Sequence, residues 1–463
     1  MRGEVAVVGA GLAGSEAAWQ LARRGVSVDV FEMRPLHSTE AHRGGDCAEL
    51  VCSNSFKSLA LENAHGLLKA ELAVQDSLIL QGALQARVPA GQALAVDRVP
   101  FARWITARLA GAPRIALRRE EAPALAPLLQ AYRCVIVASG PLTSAPLAED
   151  LARTLGTSHL YFHDAIAPVL AADSVDRTVA FRAARYGKGE ADYWNCPLDE
   201  AQYRAFVEQV LQAQRVPLHG FESLRPFEGC LPIEVMAERG PLTLAFGPMK
   251  PVGLADPRTG RRPFAVVQLR QEDQSGTLLG MVGFQTKMTW PEQRRIFRTI
   301  PGLERAEFVR LGSLHRNTFL NAPLLLDADL AWRGDLRLRF AGQITGVEGY
   351  TESAAMGLYA AKRAAAWLAG RDLSRPSRRT MTGALLHHVT QAPAATFQPM
   401  NAAFGLLEPL PEALPRATRK RAYAQRALRE MEALERLEFG AAWRQPALAQ
   451  ALGLQAGAAL CAG

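Results

Sequence analysis

The sequence has few cysteines for its length, and their arrangement excludes a disulfide framework. Six cysteines are spread irregularly over 463 residues, and no CxxC pair or Cys/His cluster with metal-ligand spacing occurs. Long apolar runs are also missing, since none approaches the roughly 18 residues that indicate a membrane-spanning helix. We expect reduced thiols, no metal and no membrane partner. An apolar strand begins almost at once, so we expect no signal peptide and a cytoplasmic location.

The composition is that of an ordinary globular protein with a positive charge. Hydrophobic residues make up 49% and charged residues 21% of the chain, and the formal charge is 53 − 45 = +8. A chain of this length exceeds one hydrophobic core, so two or three domains are expected. The charge favours a polyanionic partner such as nucleic acid, although charge alone does not decide this.

The first 32 residues predict a strand, a glycine turn, a helix and a second strand. Residues 5–8 (VAVV) are apolar, GAGLAG follows, and VSVDVF ends beside Glu32. In GxGxxG spacing, the first glycine permits a tight turn, the second allows close approach of a pyrophosphate, and the third lets helix and strand pack. Glu32 is placed to accept hydrogen bonds from ribose hydroxyls. The predicted binding residues for FAD or NAD are Gly9, Ala10, Gly11, Leu12, Ala13, Gly14 and Glu32.

A second glycine-rich turn late in the chain favours FAD. The stretch AGQITGVEGYTESAAMG, residues 341–357, joins an apolar strand to a helix. In two-segment FAD proteins such a turn brings a helix N-terminus near the pyrimidine end of the flavin, where negative charge develops on reduction. A purely structural turn is the alternative. The candidate binding residues here are Gly342, Gln343 and Gly349.

The pattern of elements predicts an α/β protein with a Rossmann-like, two-segment FAD-binding domain of the glutathione-reductase type and an inserted α+β domain. Residues 35–63 are polar and irregular, 67–84 look helical, and RCVIVASGP contains a buried parallel strand. Residues 416–438 suit an amphipathic helix. We predict a first FAD segment at 1–165, an inserted domain at 166–309, a second FAD segment at 310–405 and a basic helical tail at 406–463.

Two cysteines and one histidine are the candidates for chemistry. Cys52 lies in the polar context ELVCSNSF, and Cys230 lies in FEGCLPIE without a CxxC partner. Each is either a small buried hydrophobe or a nucleophile, and the residues alone leave both interpretations open. His315, in LHRNTFLNAP, is either a structural histidine or one that stacks on a ligand. Cys134 and Cys196 are expected to be structural.

Eleven blocks occur in an order that resembles one enzyme family. They are GAGLAGSEAAW, FEMRP, ELVCSNSF, NAHGLLKAE, RVPAGQALAVDR, FEGCLPIE, FGPMKPVGLADPRTG, FAVVQLRQED, VGFQTKMTWPEQ, HRNTFLNAP and AGQITGVEGYTESAA. Together they resemble the folate- and FAD-dependent tRNA (uracil-5-)-methyltransferase family (TrmFO), which is related to the wobble-uridine flavoproteins (MnmG/GidA). The resemblance runs from the first strand to about Gly405, and no block of the tail matches.

The resemblance implies a T-loop uridine of tRNA (position 54) as substrate and 5-methyluridine as product. It implies FAD as cofactor, 5,10-methylenetetrahydrofolate as carbon donor and NAD(P)H as reductant, with no obligate protein partner. The family's two functional cysteines fall on Cys52 and Cys230, and His315 matches a residue that stacks on pterin or nicotinamide. A thiolate adding to C6 of uracil makes C5 nucleophilic, which explains a lone cysteine at 230.

Three other functions stay open at this point. One is the same chemistry on ribosomal RNA, and another is an FAD-containing RNA-binding or redox protein without methyl transfer. The third, a wobble-uridine modification flavoprotein, is less consistent with the sequence, because that enzyme is a longer chain with an extensive C-terminal helical domain.

Overall fold

The computed structural model describes residues 3–39, 41–156, 160–187, 190–216, 231–440 and 446–452. The strands are β1 Val5–Val8, β2 Val28–Phe31, β3 Ser55–Ser58, β4 Arg87–Val88, β5 Ala93–Val96, β6 Ile115–Arg118, β7 Cys134–Val137, β8 Leu160–Ala165, β9 Val169–Ala171, β10 Phe181–Arg182, β11 Trp194–Leu198, β12 Ala265–Gln271, β13 Leu278–Met281, β14 Phe308–Arg310, β15 Leu314–Phe319, β16 Ala331–Trp332 and β17 Asp335–Phe340. The helices are α1 Leu12–Arg23, α2 Ala64–Val74, α3 Leu78–Gln85, α4 Arg98–Ala110, α5 Ala126–Ala131, α6 Ala145–Leu155, α7 Glu200–Gln212, α8 Ile233–Glu238, α9 Thr243–Phe246, α10 Trp290–Phe297, α11 Ala322–Leu325, α12 Tyr350–Leu368, α13 Met381–Gln391, α14 Arg416–Phe439 and α15 Ala447–Ala451.

The first sheet is formed by two distant segments of the chain. Its strand order is β16-β17-β7-β1-β2-β6, and every pair except β16–β17 is parallel. β17 pairs with β7 in the register Leu338↔Val135, so the late segment completes a sheet that the first 137 residues begin. The order reverses direction at β1, which is where doubly wound sheets bind ligands. The predicted fold class, a two-segment Rossmann-like domain with an insertion, is confirmed.

Helices α1 and α12 pack closely beside this sheet because small residues face each other. A Cβ on Gly357 would lie well under 3.0 Å from the carbonyl oxygen of Ala13, so only glycine fits there. Ala13, Ala17 and Ala18 of α1 are buried, as is most of α12. This contact fixes the second FAD segment directly against the helix that follows the glycine turn.

The second sheet is antiparallel and lies between the two FAD segments in sequence. Its order is β10-β11-β12-β13-β9-β14. It has a separate hydrophobic core, which includes Tyr203, Phe206, Phe284 and Phe297. The boundaries 165/166, 309/310 and 405/406 stay a prediction.

The chain enters and leaves this second unit along one two-stranded ribbon. β8, on the way in, pairs antiparallel with β15, on the way out, from Leu314↔Ala165 to Phe319↔Leu160. The last residue of β15, Phe319, is packed in the core of the FAD domain. The connection between the two units is therefore a continuous ladder rather than two independent linkers.

Two local predictions need correction. The helix predicted over 67–84 is two helices, α2 and α3, separated by a turn at Asp76, whose φ of 58° is left-handed. The carboxylate of Glu16 accepts hydrogen bonds from the Ile79 amide at 2.9 Å and the Ser77 hydroxyl at 2.7 Å, which stabilises a second helix start. The segment 35–63 contains the short strand β3, which pairs with β5.

The predicted helix at 416–438 is confirmed by α14. Its C-terminal half is attached to the FAD domain, where Glu438 pairs with Arg24 at 2.7 Å and Lys362 at 2.8 Å. Its first half carries the exposed side chains Arg419, Lys420 and Arg421. Among the described residues, no helix combines the length and apolar character needed to cross a membrane.

Candidate active site

The three glycines of GxGxxG have different surroundings. Gly9 has a φ of +94°, which side-chain-bearing residues rarely adopt. A Cβ on Gly14 would lie well inside 3.0 Å of the Gly9 carbonyl oxygen, whereas a Cβ on Gly11 would meet nothing within 4 Å. Gly9 and Gly14 therefore shape the turn itself, and Gly11 leaves open space at the N-terminus of α1.

Glu32, directly after β2, is held by the same turn. Its Oε2 accepts a hydrogen bond from the Ala10 amide at 2.9 Å, and its Oε1 accepts from Arg34 Nε at 2.8 Å. Burial opposes ionisation of Glu32, but Arg34 and the Ala10 amide outweigh it and hold the pKa of this carboxyl below its usual value. The result is a fixed carboxylate beside the glycine turn.

Two neighbouring clefts run from this turn toward the inserted unit. The first, of about 530 Å³, is lined by residues that include Gly9, Gly11, Glu32 and Leu142. The second, of about 890 Å³, also contacts Leu142. Its lining comes from widely separated parts of the chain: Ala41, Val51, Cys52, Ser53, Ser55, Lys57, Pro141, Leu142, Ile166, Gln285, Asn317, Gln343, Glu348, Gly349, Tyr350 and Asn401.

The late glycine segment lines the second cleft. Gly349 is the N-cap of α12 with a φ of 115°, and a Cβ there would clash with the Glu352 carboxylate. Gly342 has a φ of 80°, and a Cβ there would clash with Ala13. The side-chain amide of Gln343 donates to the Glu348 carboxylate. The α12 N-terminus thus opens onto the cleft, at the end away from Glu32.

A buried carboxylate, Glu352, lies behind Gly349. It accepts hydrogen bonds from His65 Nδ1 and the Ala402 amide, both at 3.0 Å. Burial raises its pKa, but His65, the charge of Lys57 and the Ala402 amide outweigh burial, so the pKa of Glu352 lies below its usual value. Glu352 fixes the first turn of α12 against the segment that carries Asn401.

Cys52 is half-buried and lines the second cleft. Its backbone amide and that of Ser53 each donate to the Tyr350 hydroxyl at 3.1 Å, and this hydroxyl donates to the Ser53 carbonyl at 2.9 Å. The other described cysteines are buried. Burial raises the pKa of the Cys47 thiol, that of Cys134 to about 11 and that of Cys196 to about 12, which confirms Cys134 and Cys196 as structural.

Of the predicted site residues, the structure leaves Cys230 undescribed and describes His315 only through its backbone. Cys230 lies outside the described residues. The described chain resumes at Leu231, and the Ile233 amide donates to the carbonyl of Gln285, a cleft residue, at 2.8 Å. His315 is in β15 opposite Asp164, and its side chain lies outside the described part of the structure.

Sequence reasoning missed several cleft residues, of which Lys57 is the most unusual. Lys57 has a left-handed φ of 65°, a costly conformation for a residue with a side chain. Its ammonium donates to Asn401 Oδ1 at 2.7 Å. The position of Lys57 five residues after Cys52, in SNSFKS, was the only signal in the sequence.

The residues fit an FAD molecule. The open side of Gly11 leaves room for a pyrophosphate at a helix N-terminus, Glu32 presents a carboxylate for ribose hydroxyls, and Gly349 starts a helix that points into the second cleft. No metal-binding cluster of histidine, cysteine or carboxylate side chains occurs in the described ranges.

Comparison with known proteins gives consistent matches. The family model described as "Glucose inhibited division protein A" matches residues 4–372. A curated protein of Geobacter sulfurreducens, "Methylenetetrahydrofolate--tRNA-(uracil-5-)-methyltransferase TrmFO", is 56% identical over 433 residues, which is 93% of this chain and 99% of that protein. A protein with the same description from Pelotomaculum thermopropionicum is 55% identical and covers 94% of this chain and 98% of its own.

Solved structures share the fold. Aquifex aeolicus GidA in its form II crystal superimposes with a TM-score of 0.68 at 15% identity, covering 98% of this chain and 74% of that one. The form I crystal gives the same TM-score at 16% identity, with 99% and 77% covered. At these identities the match establishes the architecture, including the insertion between the two sheet-forming segments.

Proposed function

The chain belongs to the TrmFO family of methylenetetrahydrofolate–tRNA-(uracil-5-)-methyltransferases, within the wider GidA group, and we propose that it forms 5-methyluridine in the T loop of tRNA. It uses FAD as cofactor, 5,10-methylenetetrahydrofolate as carbon donor and NAD(P)H as reductant. The reaction takes place in the cytoplasm, where tRNA is matured.

One observation carries this proposal. The loop of Cys52 and the N-terminus of α12 line a single cleft that adjoins the dinucleotide turn through Leu142. A redox cofactor extended from Glu32 toward Gly349 would end where the thiol and the polar groups of Lys57 and Asn401 are exposed. A thiol held in that position, beside a redox cofactor and polar side chains, fits an enzyme that acts on a bound substrate.

The two cysteines have separate roles in the proposed reaction. The Cys230 thiolate adds to C6 of the uracil, and the electron pair moves to C5. C5 then attacks the methylene carbon of the folate donor. Loss of the C5 proton, assisted by Cys52, breaks the bond between that carbon and the folate nitrogen, so tetrahydrofolate leaves and an exocyclic methylene remains on C5 as the hydride acceptor. The flavin, when bound, supplies the hydride that NAD(P)H provides. Elimination of the Cys230 thiolate restores the C5–C6 double bond of the product.

Contacts support the Cys52 loop and the described segment that follows Cys230. Tyr350 fixes the backbone of Cys52, and the Ile233 amide ties the segment after Cys230 to the cleft residue Gln285. Glu234, which follows Cys230 by four residues, is buried and accepts from the Lys287 amide at 2.6 Å; burial raises the pKa of this carboxyl. We assign His315 to stacking on pterin or nicotinamide.

Base-level mapping of 5-methyluridine tests the proposal. Purified protein is incubated with a tRNA transcript, a ribosomal RNA transcript, methylenetetrahydrofolate and NAD(P)H. We expect NAD(P)H to bleach the flavin. We also expect a single 5-methyluridine in the T loop, which should form only when methylenetetrahydrofolate is present. Modification of the ribosomal RNA transcript alone would show that the substrate is ribosomal RNA and not tRNA. Flavin reduction without any methylation would show a redox protein.

Covalent trapping tests the role of Cys230. RNA that carries 5-fluorouracil at the target position should form a stable adduct with the wild-type protein, because fluorine cannot leave as the C5 proton does. Cys230→Ala should abolish this adduct. Cys196→Ala is the control, since Cys196 is buried in the core of the inserted unit and its loss should leave trapping intact. If the adduct still formed in Cys230→Ala, a residue other than Cys230 would be the nucleophile.

A further inference from the structure

Two arginines bind the backbone of Cys52, and a third arginine and a glutamate belong to the same cluster. Arg98, the first residue of α4, and Arg310, the last residue of β14, each donate a hydrogen bond to the Cys52 carbonyl oxygen, at 3.3 Å and 3.2 Å. The two side chains come from different units of the protein, the FAD domain and the second sheet. They meet at a residue whose thiol lines the cleft.

One carboxylate, that of Glu272, forms ion pairs with two of these arginines. Glu272 pairs with Arg98 at 2.7 Å and with Arg270 at 3.6 Å, and Gly280 leaves room for its carboxylate, since a Cβ there would clash with it. Arg270 Nε also donates to Asn54 Oδ1 at 3.0 Å. With three guanidiniums and one carboxylate, the cluster carries an excess of positive charge in a largely buried place.

The cluster is also short of hydrogen-bond acceptors. In the described part of the chain, Nε of Arg98 and Nε of Arg310 are buried without a hydrogen-bond partner. Burial and repulsion from Arg98 lower the pKa of Arg310 to about 10, against the opposing effect of Glu272, Cys52 and Tyr350. Such a cluster is stabilised by a further anion nearby, and a cysteine thiolate is one.

Resting on the proposed function, we propose that Arg98 and Arg310 are positioning residues that hold the Cys52 loop against the cleft and favour the thiolate form of Cys52. Their hydrogen bonds orient the carbonyl of residue 52, and their charge acts on the sulfur of the same residue. The ionisable or charged groups around Cys52 are Arg98, Arg270, Glu272, Arg310 and Tyr350, with Lys57 and Glu348 in the lining of the same cleft.

The arginine cluster at Cys52 depends on contact between the FAD domain and the second sheet. Asn54 is fully buried, and its side-chain amide donates to Val96 of the FAD domain at 3.1 Å and to Gln271 of the second sheet at 3.0 Å. The Gln274 amide donates to Asp97 Oδ2 at 3.0 Å across the same junction. The part of the cationic environment of Cys52 that Arg270 and Arg310 supply therefore exists only while the second sheet is docked.

The rate of Cys52 alkylation by iodoacetamide as a function of pH tests this proposal on the holoenzyme. Trypsin releases the peptide 44–57, in which mass spectrometry distinguishes Cys52 from the buried Cys47. An adjacent cation lowers a thiol pKa by about 1 to 3 units, so the wild-type midpoint should lie below the ordinary value of about 8.5. In Arg310→Gln the midpoint should rise, and alkylation near pH 6.5 should slow on the order of tenfold.

Further variants keep the test decisive. Arg310→Lys retains the charge and should keep most of the lowered midpoint, and Arg98→Gln should raise it independently. Arg185→Gln is the matched control, because Arg185 is half-buried and donates to Gln268 and the Val252 carbonyl without contacting the Cys52 loop. A wild-type midpoint near that of an ordinary thiol, a Cys52 that reacts at no pH, or equal midpoints in wild type and Arg310→Gln would overturn the proposal. Absence of RNA methylation with the expected midpoints would instead overturn the proposed function.

Discussion

The Tyr350 hydroxyl lies 3.1 Å from the amide nitrogen of Cys52, so the first residue of α12 directly supports the loop that carries the candidate thiol. The two residues are separated by 298 positions in sequence. This contact joins the late FAD segment to the loop that follows β2, and it leads to the first prediction.

Tyr350→Phe should loosen the Cys52 loop without unfolding the protein. The change removes one acceptor for two amides and one donor to the Ser53 carbonyl. Loss of a partner for a half-buried polar group costs about 1–3 kcal/mol. Because the loop would then hold the Cys52 thiol in position less often, turnover should fall by about tenfold or more. Single-turnover formation of 5-methyluridine measures this loss.

Tyr359→Phe is the control on the same helix. The Tyr359 hydroxyl donates to the Ala328 carbonyl at 2.8 Å in the core, away from the cleft. Its loss should lower the melting temperature and leave the turnover of the folded enzyme unchanged. Equal turnover in Tyr350→Phe and the wild type would show that the loop does not need this support.

Gly14→Ala and Gly11→Ala should separate folding from cofactor binding. A methyl group at 14 would collide with the Gly9 carbonyl, so this variant should lose both stability and the flavin absorbance near 450 nm. A methyl group at 11 meets no protein atom within 4 Å, so this variant should keep its fold in the absence of FAD. Its flavin affinity should still fall, because the methyl occupies the open side of the turn.

Titration with FAD, together with thermal melting of the flavin-free protein, measures both quantities. An unaltered flavin affinity in Gly11→Ala would place the pyrophosphate elsewhere.

Glu71 should make the protein less stable as the pH rises from about 5 to 7.5. This carboxylate is fully buried on α2 and accepts from the amides of Met381 and Thr382, at 2.6 Å and 2.8 Å, at the start of α13. Burial raises its pKa from 4.5 to about 7, against those hydrogen bonds. The folded state therefore holds a proton that the unfolded state releases, so the contribution of Glu71 is full below pH 4.5 and is lost as the pH passes 7.

Urea unfolding of the wild type and Glu71→Gln at several pH values measures this effect. Relative to the variant, the wild type should lose on the order of 2–3 kcal/mol across this window. Lys69, on the same helix, has a pKa lowered by burial to about 7, so it is mostly protonated in both states below that pH. A difference between the two proteins that does not vary with pH would contradict the prediction.

The exposed start of α14 should contribute to RNA binding. Arg419, Lys420 and Arg421 are exposed, and Lys420 lies over the ring of Phe404, three residues from the cleft residue Asn401. Changing the three to alanine should weaken tRNA binding. It should also reduce the slope of log affinity against log salt by roughly one unit for each phosphate that the variant no longer neutralises.

The control for this change replaces Arg204, Arg295 and Arg337, each of which pairs with a carboxylate near it in sequence. Equal affinities for the two triple variants would mean that the start of α14 is only a solvated face.

The dinucleotide turn was predictable because its requirements are local. The spacing of Gly9, Gly11 and Gly14 between a strand and a helix determines the turn, and Glu32 follows the next strand. The break between α2 and α3 coincides with the polar residues Gln75, Asp76 and Ser77, and Ser77 is the N-cap of α3, so the prediction of one helix over 67–84 missed a local signal. The carboxylate that caps α3 belongs to Glu16, more than sixty residues earlier.

The same distinction applies to the second cleft. Cys52 was a candidate from its polar context and the family resemblance, but its partners Tyr350, Arg98 and Arg310 come from three other elements. No short-range pattern brings these residues together. Only the joining of both FAD segments in one sheet, with the inserted unit against them, creates the site.

Because β8 and β15 pair with each other, the chain enters and leaves the inserted unit at adjacent points. Because Ala165 and Leu314 are partners in the ladder, the two points where the chain crosses are about 5 Å apart. A short turn would bridge them, so a shortened gene that omits residues 166–313, about a third of the chain, should encode the flavin-binding unit alone.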